Sequence, residues 1–558
     1  MLMSKIRDPK FWEQVRTDPD YEPIVQQIKK YYDYAYMKEI PELTYYSRAR
    51  YHIDGDRNEF QIPYFKRRQF LASAALLGMI YPEETHYLDE VHQIMWAICD
   101  EYSWVLPAHT DGMLDHDLTQ VDLFSAETGF TLAELCYVLE DRLDKLVLDR
   151  ARAEVRRRVF DNYLAGEFNW ETKTNNWPAV CAGNIGGAMM YLDPDLFRQQ
   201  LPRLLDSMKN FMSGFPEDGT CMEGFHYWHY GFGNFVWFAD LLLQFTHGKI
   251  DLFKWDKVET VSGYAQRCVL RGGTTVSYSD GERKGKSDRA MMHYLSRLFP
   301  DQVQLLPDEY TEFFKGNVTW MQSLRNLLYV DYTAKPVAFQ LKDYDLPGAG
   351  QVVINREKYS LAVKAGHNAE AHNHNDVGNF ILATDRGQIF CDLGAGLYTK
   401  QYFRDRYSVF CNASRGHNVP LVNGGEQMPG GEYGGSICRE DNRILVEFPG
   451  AYGQPDFQKL TRTFEYEEDR IVLTDAFLPD YRSLTERFVT TFKPVIFDDH
   501  VKVNGVNLYF EPEKVQVSVK EEVHALHGYF DGTEIVYCID FELKPGLDKI
   551  EFAFKMEE

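Results

Sequence analysis

Between Gly366 and Phe380 the chain sets His367, His372 and His374 beside Glu370 and Asp376, then enters an apolar, strand-like run, Phe380-Ile381-Leu382-Ala383-Thr384. Imidazoles and carboxylates at this density make either a proton-transfer site or a metal site. In an extended segment His372 and His374 share a face, because side chains alternate with period two. The Asn, Gly and Asp residues between them also favour a turn. Any one of these histidines alone reads as a solvated loop residue; the cluster does not. Asp392 ends the apolar run Ile389-Phe390-Cys391, where a buried acid needs a partner. His417 precedes another strand-like run in Arg415-Gly416-His417-Asn418-Val419. Two histidines and one aspartate from neighbouring strands suit zinc, or manganese, with a position left for water.

The order His372-Asn373-His374-Asn375-Asp376, then Cys391-Asp392-Leu393-Gly394, then His417-Asn418 resembles the C-terminal region of heparinase II/III-like polysaccharide lyases. Asn175-Asn176-Trp177 and Glu223-Gly224-Phe225-His226-Tyr227-Trp228-His229-Tyr230-Gly231 extend the likeness into the N-terminal half, from about Trp104 onward. The resemblance implies a multidomain α+β fold: an incomplete (α/α) toroid followed by an antiparallel, β-sandwich-like sheet domain. It also implies β-elimination at a uronic acid, in which the proton alpha to the carboxyl is removed and the 4-linked oxygen leaves.

That chemistry has definable needs. Donors must neutralise the uronate carboxylate, a base must reach the proton, and an acid must reach the leaving oxygen. The resemblance assigns Asn176 as a neutralising donor, His372 as second donor or base, and Tyr230 as base and then acid, with Tyr227 next in line. It makes the ion of His374, Asp392 and His417, zinc before manganese, mainly structural. Sugar contacts are expected from Asn175, Trp177, Tyr227, His226, His229, Glu223, Trp104, His109, Arg404 and Arg415. Several family members carry His where this chain has Trp177, which bears on the uronic epimers accepted. Read without the resemblance, Asn175-Asn176-Trp177-Pro178 also suits a helix start with Asn at the cap. The aromatic cluster around Tyr227 equally suits core packing.

The elements that must position these residues fall into two textures. From Phe11 to about Tyr329 apolar residues recur at helical spacing, as in Leu143, Leu146, Val147, Val155, Val159 and Tyr163. Pro194 is placed to start a helix that Gly214 ends, with a kink or fresh start at Pro202. Beyond about Val337 short strands follow one another, with Asp385-Arg386-Gly387 and Asn504-Gly505 as turn signals. Domains of 1–335 (helical) and 336–558 (sheet) follow, with a ligand cleft expected near their junction.

The chain has 558 residues, 44% hydrophobic and 15% aromatic, with 35 Tyr, 37 Phe and 9 Trp. Such rings stack on the apolar faces of sugars as readily as they fill a core. A net charge of −24 argues against nucleic acid and anionic membrane as partners. The expected partner is an acidic polysaccharide or oligosaccharide: a glycosaminoglycan such as hyaluronan, chondroitin or heparan, with alginate the alternative. A non-catalytic sugar-binding protein of the same fold is the rival from another class. Nine cysteines without paired spacing point to reduced thiols, and with no apolar signal core to a cytoplasmic protein. The oligomeric state is left open, a dimer included.

Overall fold

The computed structural model describes residues 3–36, 39–314, 319–478, 481–527 and 532–557. The chain divides into two compact units. One comprises Met1–Gly214, Trp228–Ser262 and Lys286–Val337, and the other Phe215–Tyr227, Gly263–Gly285 and Ala338–Glu558. A single boundary at 335/336 does not capture this interleaving. Two segments from the helical part of the sequence belong with the sheets, and both carry residues of chemical interest.

The first unit is helical. Its long helices include Asn58–Ile80, Leu123–Val138, Trp177–Leu192 and Pro194–Ser213, and it takes all but the first turn of Phe225–Phe245. Asp122 starts the Leu123–Val138 helix through a capping box, accepting from the Ser125 N–H at 2.8 Å while its own N–H donates to Ser125 Oγ at 2.9 Å. Asp193 caps the Pro194–Ser213 helix by accepting from Leu196 N, and Gly214 follows its end. Pro202 neither stops nor restarts that helix, which runs unbroken across it. The stripe from Leu143 to Tyr163 is Lys145–Val155 and Asp161–Ala165 joined by a π-helical turn, Arg156–Phe160.

Small residues let these helices approach closely. A Cβ on Gly187 would lie 2.6 Å from the Phe130 ring, and one on Gly186 2.7 Å from Phe238. A buried ion pair joins helices distant in sequence. Arg325 donates to both oxygens of Glu134 at 2.6 and 2.8 Å, and Trp320 and Tyr191 donate to the same carboxylate. The fork geometry and the added donors satisfy charges that would otherwise be costly to bury.

The second unit is built on antiparallel sheets. A nine-stranded sheet runs in the order Val495–Ile496, His500–Val503, Val506–Tyr509, Lys549–Met556, Arg470–Phe477, Leu460–Tyr466, Arg443–Glu447, Gly430–Glu440, Gly366–Asn368. A five-stranded sheet orders Gly387–Phe390, Phe380–Thr384, Ser360–Lys364, Gln351–Asn355 and Tyr344–Leu346. A four-stranded sheet orders Leu421–Val422, Leu484–Thr490, Thr533–Leu543 and Val515–Ala525. Strands such as Leu460–Tyr466 and Arg470–Phe477 alternate buried and more open residues, as one-sided sheets do, whereas Phe380–Thr384 is buried on both faces. Asn504 and Gly505 both have positive φ, 39° and 90°, and turn the Val503–Val506 pair into a tight hairpin.

The core of this unit is aromatic: Phe488 and Phe541 meet Phe552 at ring-centroid distances of 5.0 and 4.9 Å, and Phe380 and Phe390 pack on Phe488 and Phe554. Within it Arg462 is fully buried, paired with Asp475 and Glu486, and donates to the carbonyls of Gly378 and Asn418. Those carbonyls belong to the loops that carry the histidine clusters, so the core charge network fixes the site from beneath.

Candidate functional site

In the helical unit, Asn176 stands at the N-cap of Trp177–Leu192, yet its side chain makes no capping bond. Asn175 takes the local turn role instead, its Oδ1 accepting from Trp177 N at 3.3 Å. Asn176 is 2% exposed and lies directly against the helix that bears Tyr230. The contact is at Gly231, where an added Cβ would come within 2.9 Å of Asn176 Cβ and 3.1 Å of the Phe211 ring. A helical glycine costs about 1 kcal/mol relative to alanine. Here it is required by the close approach of this helix to Asn176 and Phe211.

The Tyr230 hydroxyl donates to Glu127 Oε1 at 2.9 Å. Burial pushes the Glu127 carboxyl up to about 7, against the lowering effect of the Tyr230 bond. Burial, then the Glu127 charge, raises the Tyr230 phenol well above its ordinary range. A phenol is thus paired with a carboxyl whose own titration falls near neutrality, an arrangement suited to passing a proton. Nearby, His109 Nδ1 faces Asp122 Oδ2 at 2.7 Å and its ring meets Trp177 edge-on at 5.0 Å. His229 is buried, with its Nε2 3.4 Å from Gln322.

Trp104 is a correction. Its ring is 1% exposed, its indole N–H donates to Ile98 O, and its own carbonyl accepts from Tyr64, so it serves the core and offers no face to a sugar.

In the sheet unit, His372 lies in the turn between Gly366–Asn368 and Phe380–Thr384 with φ of +55°, a left-handed conformation uncommon for residues other than glycine. Its ring stacks on Tyr227 at 3.9 Å, tilted by 21°. Nδ1 lies 2.5 Å from Asp280 Oδ2, and Nε2 lies 3.5 Å from Glu223 Oε2. Tyr227 Oη is 2.7 Å from Tyr398 Oη, which in turn donates to Asp280 Oδ2 at 2.9 Å. Glu223 therefore borders a histidine, and His226 faces Glu282 at 3.0 Å.

Two residues away, His374 joins Asp392 and His417. All three are fully buried, and their ligand atoms lie within 4.8 Å of one another. Asp392 is held by Gly394 N on one oxygen and Asn379 Nδ2 on the other. His417 Nδ1 lies 3.2 Å from Asp392 Oδ2, while its Nε2 and His374 Nδ1 are buried without a hydrogen-bond partner. Burial lowers the His374 titration, opposed by Asp280; burial also lowers that of His417, but Asp392 and Asp376 together raise it. Buried polar atoms left unsatisfied call for a partner, and this donor set of two imidazoles and a carboxylate fits a divalent ion. His372 is outside the group.

Of the two arginines expected at the substrate, Arg404 is exposed. Arg415 pairs with Glu426 at 2.6 Å and donates to the carbonyls of Tyr407 and Ser408, which ties down its own loop. Sequence reasoning passed over Glu127 and Asp280. Neither lies in a motif, and an acid among the chain's 84 acidic residues carries no signal until its surroundings are known.

Residues 341–527 match the family model "Heparinase II/III-like, C-terminal", the stretch that carries His372, His374, Asp392 and His417. No curated protein matches the chain in sequence. Among solved structures, heparinase III is similar at a TM-score of 0.63 and 12% identity, over 99% of this chain and 93% of that one. Heparan sulfate lyase HepC from Pedobacter heparinus gives 0.57 and 13%, over 100% and 86%. The Streptomyces coelicolor A3 chondroitin AC lyase in complex with chondroitin sulphate gives 0.52 and 12%, over 99% and 82%. The resemblance read from the sequence holds, and with it the fold class of a helical toroid region followed by antiparallel sheets.

Proposed function

We propose, from a heparinase II/III-like C-terminal region and a fold shared with glycosaminoglycan lyases, that this chain is a carbon–oxygen lyase. It cleaves uronic-acid glycans by β-elimination and leaves a 4,5-unsaturated uronate end. A glycosaminoglycan poly- or oligosaccharide is the preferred substrate class, with alginate the alternative. The observation that carries the reading is the Tyr230–Glu127 pair, a phenol with a proton acceptor that titrates near neutrality, on a helix that packs against Asn176 at Gly231.

In this reading Asn176 donates to the uronate carboxylate and lowers the cost of the charge that builds there, and the family resemblance gives His372 the role of second donor or base. The Tyr230 phenol gives its proton to Glu127, and the phenolate oxygen takes the proton alpha to the carboxyl. That C–H electron pair forms the C4–C5 double bond, the C4–O bond breaks, and the departing oxygen receives the proton now on Tyr230. Glu127 then returns its proton to the phenolate. A specific observation favours Tyr227 as second choice for the base: its ring stacks on His372, and its hydroxyl sits in the Tyr398–Asp280 chain.

His374, Asp392 and His417 would hold one divalent ion, zinc before manganese. It would supply a common partner for three buried groups and tie their loops together, a structural contribution.

The test is a screen of purified protein against hyaluronan, chondroitin, heparan and alginate, following the ultraviolet absorbance of the new double bond. Absorbance growth with at least one of them is expected. Binding of such a glycan with no unsaturated product would favour the sugar-binding alternative.

A further inference from the structure

The segment Gly263–Gly285 belongs to the sheet unit, and its loop from Ser277 to Gly281 is buried there. Ser279 has a φ of +61°, a strained value for a residue with a Cβ. The loop is clamped from both sides. Ser277 Oγ donates to Asp392 O at 2.9 Å, and Ala395 N donates to Gly281 O at 3.1 Å. Gly394 approaches so closely that a Cβ there would strike the Gly281 carbonyl. At the centre stands Asp280, with no side-chain exposure.

One carboxylate receives a dense set of donors. Oδ2 accepts from His372 Nδ1 at 2.5 Å and Tyr398 Oη at 2.9 Å. Oδ1 accepts from Tyr402 Oη and lies 3.2 Å from His374 Nε2, with Arg406 Nη2 3.7 Å away. The bond from His374 Nε2 leaves Nδ1, the partnerless atom, as that ring's ligand position. The bond from His372 Nδ1 fixes that ring's rotation while Tyr227 covers one face. Strained backbone at both Ser279 and His372 is what such an over-determined constellation sustains.

We propose that Asp280 is the positioning residue of His372: its carboxylate fixes the ring's orientation and its Nδ1–H tautomer, and through its other oxygen ties that histidine to the His374 cluster. For the reaction this rests on the lyase reading, with His372 as the group that touches substrate and Asp280 acting through it.

Asp280→Asn keeps shape but replaces an acceptor oxygen with an amide donor. On a glycan the wild type cleaves, it lowers kcat about a hundredfold, on the scale of losing one transition-state donor, with KM changed by less than about threefold. In a His372→Ala background the same substitution adds less than about twofold, because the two residues act as a unit. Losses that multiply independently, or an unchanged kcat, would overturn the proposal.

A second measurement needs neither turnover nor a folded Asp280 variant. In ¹⁵N-histidine-labelled wild type, the signal removed by His372→Gln carries its proton on Nδ1, in a strong, exchange-protected hydrogen bond. A His372 with bare Nδ1 refutes the assignment. If no uronic glycan is cleaved, the lyase reading fails while this spectrum still decides the Asp280–His372 pairing.

Discussion

Glu127 offers a perturbation whose size follows from the structure. Its carboxyl titrates near 7 in the folded protein against an ordinary value of 4.5, with burial the main cause. A difference of that size corresponds to about 3 kcal/mol, at about 1.4 kcal/mol per pH unit. The sign follows from proton binding. Between the two values the folded state holds the proton and the unfolded state does not, so stability falls as pH rises through this window. The penalty is about 1 kcal/mol at pH 5 and full above pH 7. Glu127 is only partly buried, so solvent screening makes about 3 kcal/mol an upper figure.

Glu127→Gln removes the ionisation and keeps an oxygen for the Tyr230 hydroxyl. Its melting temperature should therefore exceed that of wild type by more at pH 8 than at pH 5. The same variant tests the proton route. Wild-type kcat/KM should fall about tenfold per unit as pH drops below about 7, as Glu127 takes up its proton. Glu127→Gln should lose that limb and run at a plateau about a hundredfold or more lower. An equal change in melting temperature at both pH values would refute the stability argument. An acid limb that survives in Glu127→Gln would refute the role of Glu127 as proton acceptor.

Tyr230→Phe should nearly abolish elimination while glycan still binds, measured by ultraviolet absorbance and by calorimetry. If Tyr230→Phe keeps its turnover and Tyr227→Phe loses it, the base is the tyrosine stacked on His372. Gly231→Ala should cost about 1–3 kcal/mol from overpacking against Asn176 and Phe211, more than the about 1 kcal/mol helix propensity returns. A lower melting temperature and a lower kcat should appear together, and a stabilised, fully active variant would contradict the close approach. Dialysed wild type should carry about one equivalent of divalent metal, lost in His374→Ala and Asp392→Ala together with thermal stability. A metal-free wild type that stays folded and active would sink the structural ion.

The sequence by itself determined the two textures of the chain, because helical and strand periodicities are local and survive without a partner. The Asn504-Gly505 hairpin and the helix from Pro194 to Gly214 were legible for the same reason, although Pro202 was not a break. It also placed His374, Asp392 and His417 in one candidate group, since imidazole and carboxylate at the ends of apolar strands have few other means of being satisfied.

Tertiary structure alone decided which acids matter. Asp280 meets His372 across a sequence separation of 92 residues, and Glu127 meets Tyr230 across 103. Neither acid stands out, because a carboxylate's role depends on the donors and the burial that distant segments bring to it. The same dependence moved Trp104 into the core and tied Arg415 to Glu426. It also took the segment bearing Asp280 out of the helical unit and into the sheets: local pattern fixes what an element is, and only packing fixes what it touches.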